Sequence, residues 1–552
     1  MLDNLPILSM IIFSPLLGVL ILMFIPKEKG RIIKIVGVAA AFLPLIFAIM
    51  MYADFELESE QTVQFTENVE WISVPLNQEH EMLKGLSKYN LEFNYSVGAD
   101  ALSLVLILLT ALVSAMAALA SLMIKKRWKT YYILFLLLMV GMLGVFSARD
   151  LFLFFVFFEV TLVPMFFLVG IWGFKEREGA ATKFLIYNGI GSALMIVAFL
   201  ILVTTAGFSV TQPNVIENPQ YFEAAYTSNL DDIMLNMNDP NSFTNIGAEM
   251  QSGQGIMENP FYLSDTMKWF IFILLLIAFG IKLPIFPFHT WMLKVHVEAP
   301  PSVVMIHSGI LLKMGAYGLI RYGVMIFPEQ AKDWGIVLAI LGAINILYGA
   351  ILAFRQSDFR LVLAYSSISH MGIVLFGIAA FNVIGMEGAI FQMVSHGLIS
   401  ALLFLIVGSL YERTGTMDIS DLGGLAKSIP FISGILLFAG LASLGLPGLS
   451  GFVSEFLSFI GLFETMPIIT AVGTLGIILT AVYVLRAVLR ITYGPIPVKF
   501  QNLNDARLVE VIPMVILVAF IVLIGVYPSV LSDPLKQTVD QLIQNIAGRV
   551  GG

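Results

Sequence analysis

The sequence predicts an all-α polytopic membrane protein of about fourteen transmembrane helices, two of them broken near their middles. Three observations lead there. Hydrophobic residues make up 58% of the 552-residue chain and charged residues only 12%, against about 25% charged in soluble domains; mean hydropathy is +0.90. Apolar runs of about 20 residues, enough to cross a bilayer, recur along the whole chain. Two of them, at "GIKLPIFPFHTWM" (280–292) and "LGLPGLSGF" (444–452), carry prolines near the centre, where each removes a backbone donor and clashes with the preceding turn.

The first span, 5–25, turns apolar within five residues and has no basic region ahead of it, so it reads as a retained helix rather than a cleaved signal. The others fall at 31–52, 101–124, 130–147, 150–172, 179–205, 267–293, 302–326, 332–354, 360–380, 386–411, 430–464, 466–493 and 508–530, and are called spans 2 to 14 below. Two long acidic loops interrupt the series, at 53–100 and 206–266. The second is rich in Asn, Asp, Gln and Gly ("NMNDPNSFTN") and reads as a solvated insertion without chemistry. Loops after odd-numbered spans carry Lys27, Lys29, Arg31, "KKRWK" (125–129), "KERE" (175–178), Lys294, Arg355, Arg360, Arg413 and Lys427, and loops after even-numbered spans are poorer in cations. The positive-inside rule therefore puts both termini outside the cytoplasm. The net charge of −8 lies largely in the two long loops and says nothing about nucleic acid. With no cysteine, thiolate-held iron–sulfur clusters, disulfides and thiol catalysis are excluded on this chain. Nothing like GxGxxG follows a strand.

Ionisable residues inside the spans carry the functional signal. Glu159 sits centrally in span 5 ("FLFFVFFEVTLVPMFF"), Lys282 in span 7, Lys313 in span 8, His370 in span 10 and His396 in span 11; Glu455 follows the break in span 12. A charged side chain at a helix centre costs roughly 2.5–3.5 kcal/mol on insertion scales, so a set at a common depth points to a shared purpose. An alternating row of acid, base and imidazole suits proton movement. Burial weakens a lysine's hold on its proton and a neighbouring carboxylate restores it; three pKa units amount to about 4 kcal/mol. Moving one charge against about 200 mV costs about 4.6 kcal/mol, so making or breaking one Glu–Lys pair suffices to load or release a proton. Imidazoles between the lysines fit as relays, since they titrate near neutrality.

Freed backbone groups at the two breaks are tolerated only inside protein or beside water. Spans 7 and 12 lie five apart, each fourth in a five-helix unit (spans 4–8 and 9–13). Five is odd, so the units are expected to be inverted in the membrane, the arrangement of transporters with a midplane ion path. The chain then divides into an N-terminal part (1–128), a first repeat with the polar insertion (129–326), a second repeat (327–493), and span 14 with a short outside tail (494–552).

The run "GIKLPIFPFHTWM…HVEAPPSVVMIHSGILLKMGAYGLIR" (280–321), with "FFEVTLVPMF" (157–166), "RQSDFRLVLAYSSISHMG" (355–372) and "LPGLSGFVSEF" (446–456), resembles the antiporter-like membrane subunits of respiratory complex I. Glu455, where other types carry lysine, and a short polar tail from about Asp533 in place of a long lateral helix make it most similar to the M type. The 206–266 loop is longer than the family pattern. The resemblance implies proton translocation in the membrane arm of an NADH:quinone oxidoreductase. Glu159 would pair with Lys282, Lys313 would connect onward, His370 and His396 would relay, and Glu455 would end the channel; His289 would line the cytoplasmic mouth. It also implies that NADH, FMN, iron–sulfur clusters and quinone belong to partner subunits, that this chain holds no cofactor or metal, and that its neighbours are L-type and N-type paralogues in a bacterial inner membrane. Three other readings share features of the sequence: a subunit of an Mrp-type sodium/proton antiporter, an organic-anion transporter with Lys282 as counter-ion, and a haem-binding anchor using His370 and His396.

Overall fold

The computed structural model describes residues 5–59, 61–76, 87–211, 222–252 and 255–550. Among the described residues, twelve helices are long and apolar enough to cross a membrane, and they coincide with the predicted spans other than 7 and 12. Those two appear as pairs of half-helices, Asp265–Lys282 with Thr290–Glu298 and Pro430–Ser443 with Ser450–Thr465. Several helix starts carry the side-chain acceptor that a helix N-terminus needs. Asp100 accepts from Ser103 N–H (3.0 Å), Asp150 from Leu153 N–H (2.9 Å), Ser264 from Met267 N–H (3.3 Å) and Asn382 from Gly385 N–H (2.8 Å).

Burial sorts the helices into layers. Spans 3 (Ala101–Met123), 8 (Pro301–Val324), 10 (Phe359–Ala379) and 11 (Val383–Thr414) have 89–100% of their most apolar stretch buried, against 33–56% for spans 1, 2, 5, 6, 9, 13 and 14. The outer helices turn Ile, Leu, Val and Phe outward on one side, such as Ile186, Ile340 and Leu475, as a lipid-facing surface requires. Without a hydrophobic force between helices in lipid, small residues set how closely they approach. Gly309 of span 8 and Gly397 of span 11 face one another: a Cβ on either would sit 2.9–3.2 Å from the other's carbonyl oxygen. That contact holds together the two helices bearing Lys313 and His396.

The 206–266 segment, read from its composition as a solvated insertion, carries strands and a helix at its described residues. Strands β1 (Gln64–Pro75), β2 (Ser87–Ala99), β3 (Phe208–Thr211) and β4 (Phe222–Thr227) form one sheet in the order β1-β2-β4-β3. The first long loop is thus a hairpin, and β4 of the second adds to it in parallel, Ser87 opposite Phe222 through Glu92 opposite Thr227. A nine-residue helix, Leu230–Asn238, follows and is tied to the span 4–5 junction by an Arg149–Asp231 ion pair. Stacked Phe208 and Phe261, with Phe243 at their edge, give the segment a small core of its own.

The tail also differs from the expectation of a merely polar end. Ser529–Val550 is a 22-residue helix whose Leu531, Leu535, Val539, Leu542 and Ile546 are buried. It is held to the same end of the bundle as the sheet. Thr538 Oγ1 accepts from Ala101 N–H (3.3 Å), and Gln537 donates to the Ser59 carbonyl (2.6 Å).

Candidate functional site

Lys282 ends the first half of span 7 at 1% exposure. The backbone past it is held by span 9: Asn345 Oδ1 accepts from Phe286 N–H (2.8 Å) and its amide donates to the Pro284 carbonyl (3.4 Å). Trp291 Nε1–H, on the second half-helix, reaches back across the break to the Ile281 carbonyl (3.0 Å). One buried asparagine thus answers a donor and an acceptor that the prolines leave outside the helix ladder, the condition for broken helices in lipid. Asn345→Leu strands both groups in the interior, at a cost of about 1–3 kcal/mol for a buried unsatisfied group. A lowered melting temperature of the purified chain, with unchanged helical circular dichroism, is the expected reading.

The Lys282 ammonium lies over two rings, 4.6 Å from the centroid of Phe158 and 5.7 Å from that of Phe184. Neither Lys282 Nζ nor Glu159 Oε1 has a hydrogen-bond partner, though both are buried. Glu159 acts on Lys282 through its charge without a direct ion pair among the described residues. The expected contact is replaced by electrostatic coupling beside the Phe158 ring, with cation–π attraction taking part of the load.

Lys313, fully buried, is the best connected member of the row. Span 8 widens into π-helical turns at His307–Leu311 and Leu319–Val324, a distortion frequent at functional sites. Lys313 Nζ donates to the Ser308 carbonyl five residues back (2.6 Å) and lies 2.7 Å from His396 Nδ1. With Nδ1 as acceptor, the other ring nitrogen carries the hydrogen, and His396 Nε2 meets Ser367 Oγ at 3.2 Å. The ring can take a proton on one edge and release one from the other. His370 follows, its ring centroid 5.4 Å from that of His396. A cavity of ≈ 10 Å³ adjoins both rings, lined by Ser366, Ser367, Ser400 and Ser443; that is near the least volume that admits a water.

His370 Nδ1 lies 3.7 Å from Glu455 Oε1 and 3.3 Å from the Gln392 amide, and Nε2 lies 3.4 Å from Ser443 Oγ. Glu455 is in the second half of broken span 12, and its carboxylate fills space that the first half leaves open. Gly445, with φ +76°, has no side chain there; a Cβ would stand 2.7 Å from Glu455 Oε2. Left-handed backbone favours glycine, so the break both turns the chain and makes room for the acid.

Two members of the row were not singled out in the sequence. His307, fully buried, has no partner on either ring nitrogen, and His296 has none on Nε2. The two rings meet edge to face at 4.9 Å, and His307 senses the charges of both Lys282 and Lys313. They span the interval between the lysines. Buried polar atoms are normally satisfied, yet Glu159, Lys282, His307 and His296 are each among the buried side chains here with an unpartnered atom. His289 lies apart, Nε2 3.1 Å from Tyr348 Oη, beside the charge of Lys183.

Comparison with known proteins matches residues 148–480 to the family described as NADH:quinone oxidoreductase/Mrp antiporter, TM. The chain is 35% identical to an NADH-quinone oxidoreductase subunit M of Rickettsia conorii over 98% of this chain and 99% of that one. It is 35% identical to an NAD(P)H-quinone oxidoreductase chain 4 of Gloeobacter violaceus, over 99% and 94%. Among solved structures it resembles a chain of respiratory complex I from Thermus thermophilus with bound NADH, with TM-score 0.77 at 26% identity over 98% of this chain and 99% of that one. A chain of the Mrp complex from Dietzia shares the fold, with TM-score 0.76 at 20% identity over 98% and 99%.

Proposed function

The chain belongs to the NADH:quinone oxidoreductase/Mrp antiporter transmembrane family, and on that premise we propose that it is a proton-translocating subunit in the membrane arm of a bacterial NADH:quinone oxidoreductase. The observation that carries this reading is the buried row from Lys313 through His396 and His370 to Glu455, with steps of 2.7 Å between side-chain atoms, 5.4 Å between ring centroids and 3.7 Å. Protons enter past His289 and Tyr348, reach Lys282, and cross by way of His307 and His296 to Lys313. Glu159 sets how firmly Lys282 holds its proton. His396 then accepts at Nδ1 and releases at Nε2, and Glu455 receives the proton at the far end.

Electron transfer from NADH to quinone takes place on partner subunits that hold the flavin, the clusters and the quinone; L-type and N-type paralogues are the expected neighbours. The chain is a multi-pass protein of the bacterial inner membrane with both termini on the periplasmic side, which the distribution of cations among the loops supports. Its two five-helix units, spans 4–8 and 9–13, run in opposite senses, each with its break and an ionisable residue in the fourth helix.

Membership of an Mrp-type antiporter is the second reading, favoured by the shared fold. The near full-length relatives at 35% identity favour the first. Affinity purification through a tag on this chain separates them: flavin, iron–sulfur signals and NADH-driven quinone reduction in the product support the first, and sodium/proton exchange without them supports the second. Within the complex, Glu455→Gln is expected to lower NADH-driven proton uptake severalfold with assembly intact, because the terminal acceptor can no longer titrate. Glu455→Lys restores a titratable group and should pump better than the glutamine variant, as read by dye quenching in inverted vesicles.

A further inference from the structure

A second cavity, ≈ 440 Å³, opens at the end of the bundle where spans 3, 5, 8 and 11 meet, well within the size range of small-molecule sites. It lies apart from the row of buried charges, and nothing in the proton path uses it. Met123, Ile124, Phe174, Met305 and Leu405 supply most of its wall, and Lys125 and Lys126 stand at its rim. Both lysines are exposed and neither has a carboxylate partner among the described residues. The one acid in the lining, Glu412, is already answered by Arg507 at 2.5 Å. Ser302, on the inner wall, is satisfied by Tyr131 Oη at 2.9 Å. The loop bearing the lysines is fastened to the wall, since Trp172 Nε1–H donates to the Lys126 carbonyl (2.8 Å). Tyr411, partly exposed in the lining, is a residue type that gathers at the headgroup level.

We propose that this cavity binds an anionic phospholipid, one acyl chain lying between the helices and the phosphate against Lys125 and Lys126. The Ser302 hydroxyl and the Glu412 carboxylate of the wall are both answered, and among the described residues the charges in the lining without an opposite partner are those of Lys125 and Lys126. A zwitterionic lipid fits the same wall but brings its own cation to the lysines, so headgroup charge is the discriminating feature. Basic pockets between membrane helices recognise anionic headgroups in this way. The site stands independently of which residues carry protons.

The test uses the full chain in micelles with phosphatidylglycerol or phosphatidylcholine bearing brominated acyl chains, reading the fluorescence that Trp172→Phe removes. Phosphatidylglycerol is expected to quench that component at about tenfold lower mole fraction or better, and Lys125→Gln with Lys126→Gln should bring the two lipids to parity. Equal quenching by both lipids in the unaltered chain, or a preference that survives the double substitution, overturns the proposal. A photoreactive residue at Met123 in the assembled complex gives a second readout. A phospholipid adduct supports the site, whereas an adduct with another polypeptide means that the cavity is a protein-docking groove and overturns it.

Discussion

Lys282→Ala is expected to abolish the proton translocation of the assembled complex while leaving the complex intact. The ammonium has no hydrogen-bond partner to lose, and its attraction to Phe158 and Phe184 amounts to about 2 kcal/mol when desolvated. Removing it also relieves the cost of a charge at mid-membrane, roughly 2.5–3.5 kcal/mol on insertion scales. Stability should therefore change little, and the loss should be confined to function. Dye quenching in inverted vesicles measures pumping, and native gel electrophoresis measures assembly. Normal pumping at normal assembly would remove Lys282 from the path. Glu159→Gln should impair pumping less, because Glu159 acts on the lysine through its charge and makes no hydrogen bond to it; an effect as large as that of Lys282→Ala would mean that Glu159 itself carries protons.

Arg321→Met carries the largest expected effect on stability. Arg321 and Asp100 are 2% and 3% exposed, and the guanidinium grips the carboxylate with both nitrogens, at 2.6 and 2.7 Å. Breaking a buried pair from one side leaves an uncompensated charge and typically costs about 3–5 kcal/mol. Asp100→Asn in the same chain should recover much of that, since the stranded charge is gone; a double variant as unstable as the single would show that the charge was not the cause. Burial pushes the Asp100 carboxyl up, but Arg321 beside it outweighs burial and holds it down at about 2. A depressed carboxyl stabilises the fold above its unfolded value near 3.9 and loses that contribution as pH falls through about 2. Melting temperatures of the unaltered chain and Arg321→Met should therefore differ at pH 7 and converge as pH falls to about 2.

Much of the bundle was legible because lipid imposes so strict a code: apolar length gives the helices, and a charge or proline inside one stands out. Lys282, Lys313, His370, His396 and Glu455 were visible for that reason. His296 and His307 were not, because they fall toward helix ends, where a histidine is unremarkable. The available signal was that five of the six histidines lie between 289 and 396 in apolar surroundings. The tail helix was also readable in principle, since Leu531, Leu535, Val539, Leu542 and Ile546 recur at helical spacing. Strand β4 was not. "FEAAYT" mixes strand formers with Glu and Ala, and one of its two partners, β2, is more than a hundred residues away, so tertiary pairing decides its state. The missing direct Glu159–Lys282 contact was equally hidden, because it depends on where the Phe158 ring settles.

The shared sheet makes the lengths of two distant loops depend on each other. With β4 seated along β2, a chain that lost residues 206–229 would bare the edge of β2 from Ser87 to Glu92, an open template for unwanted pairing. Trimming the second loop through β4 without altering β2 therefore leaves an adhesive seam.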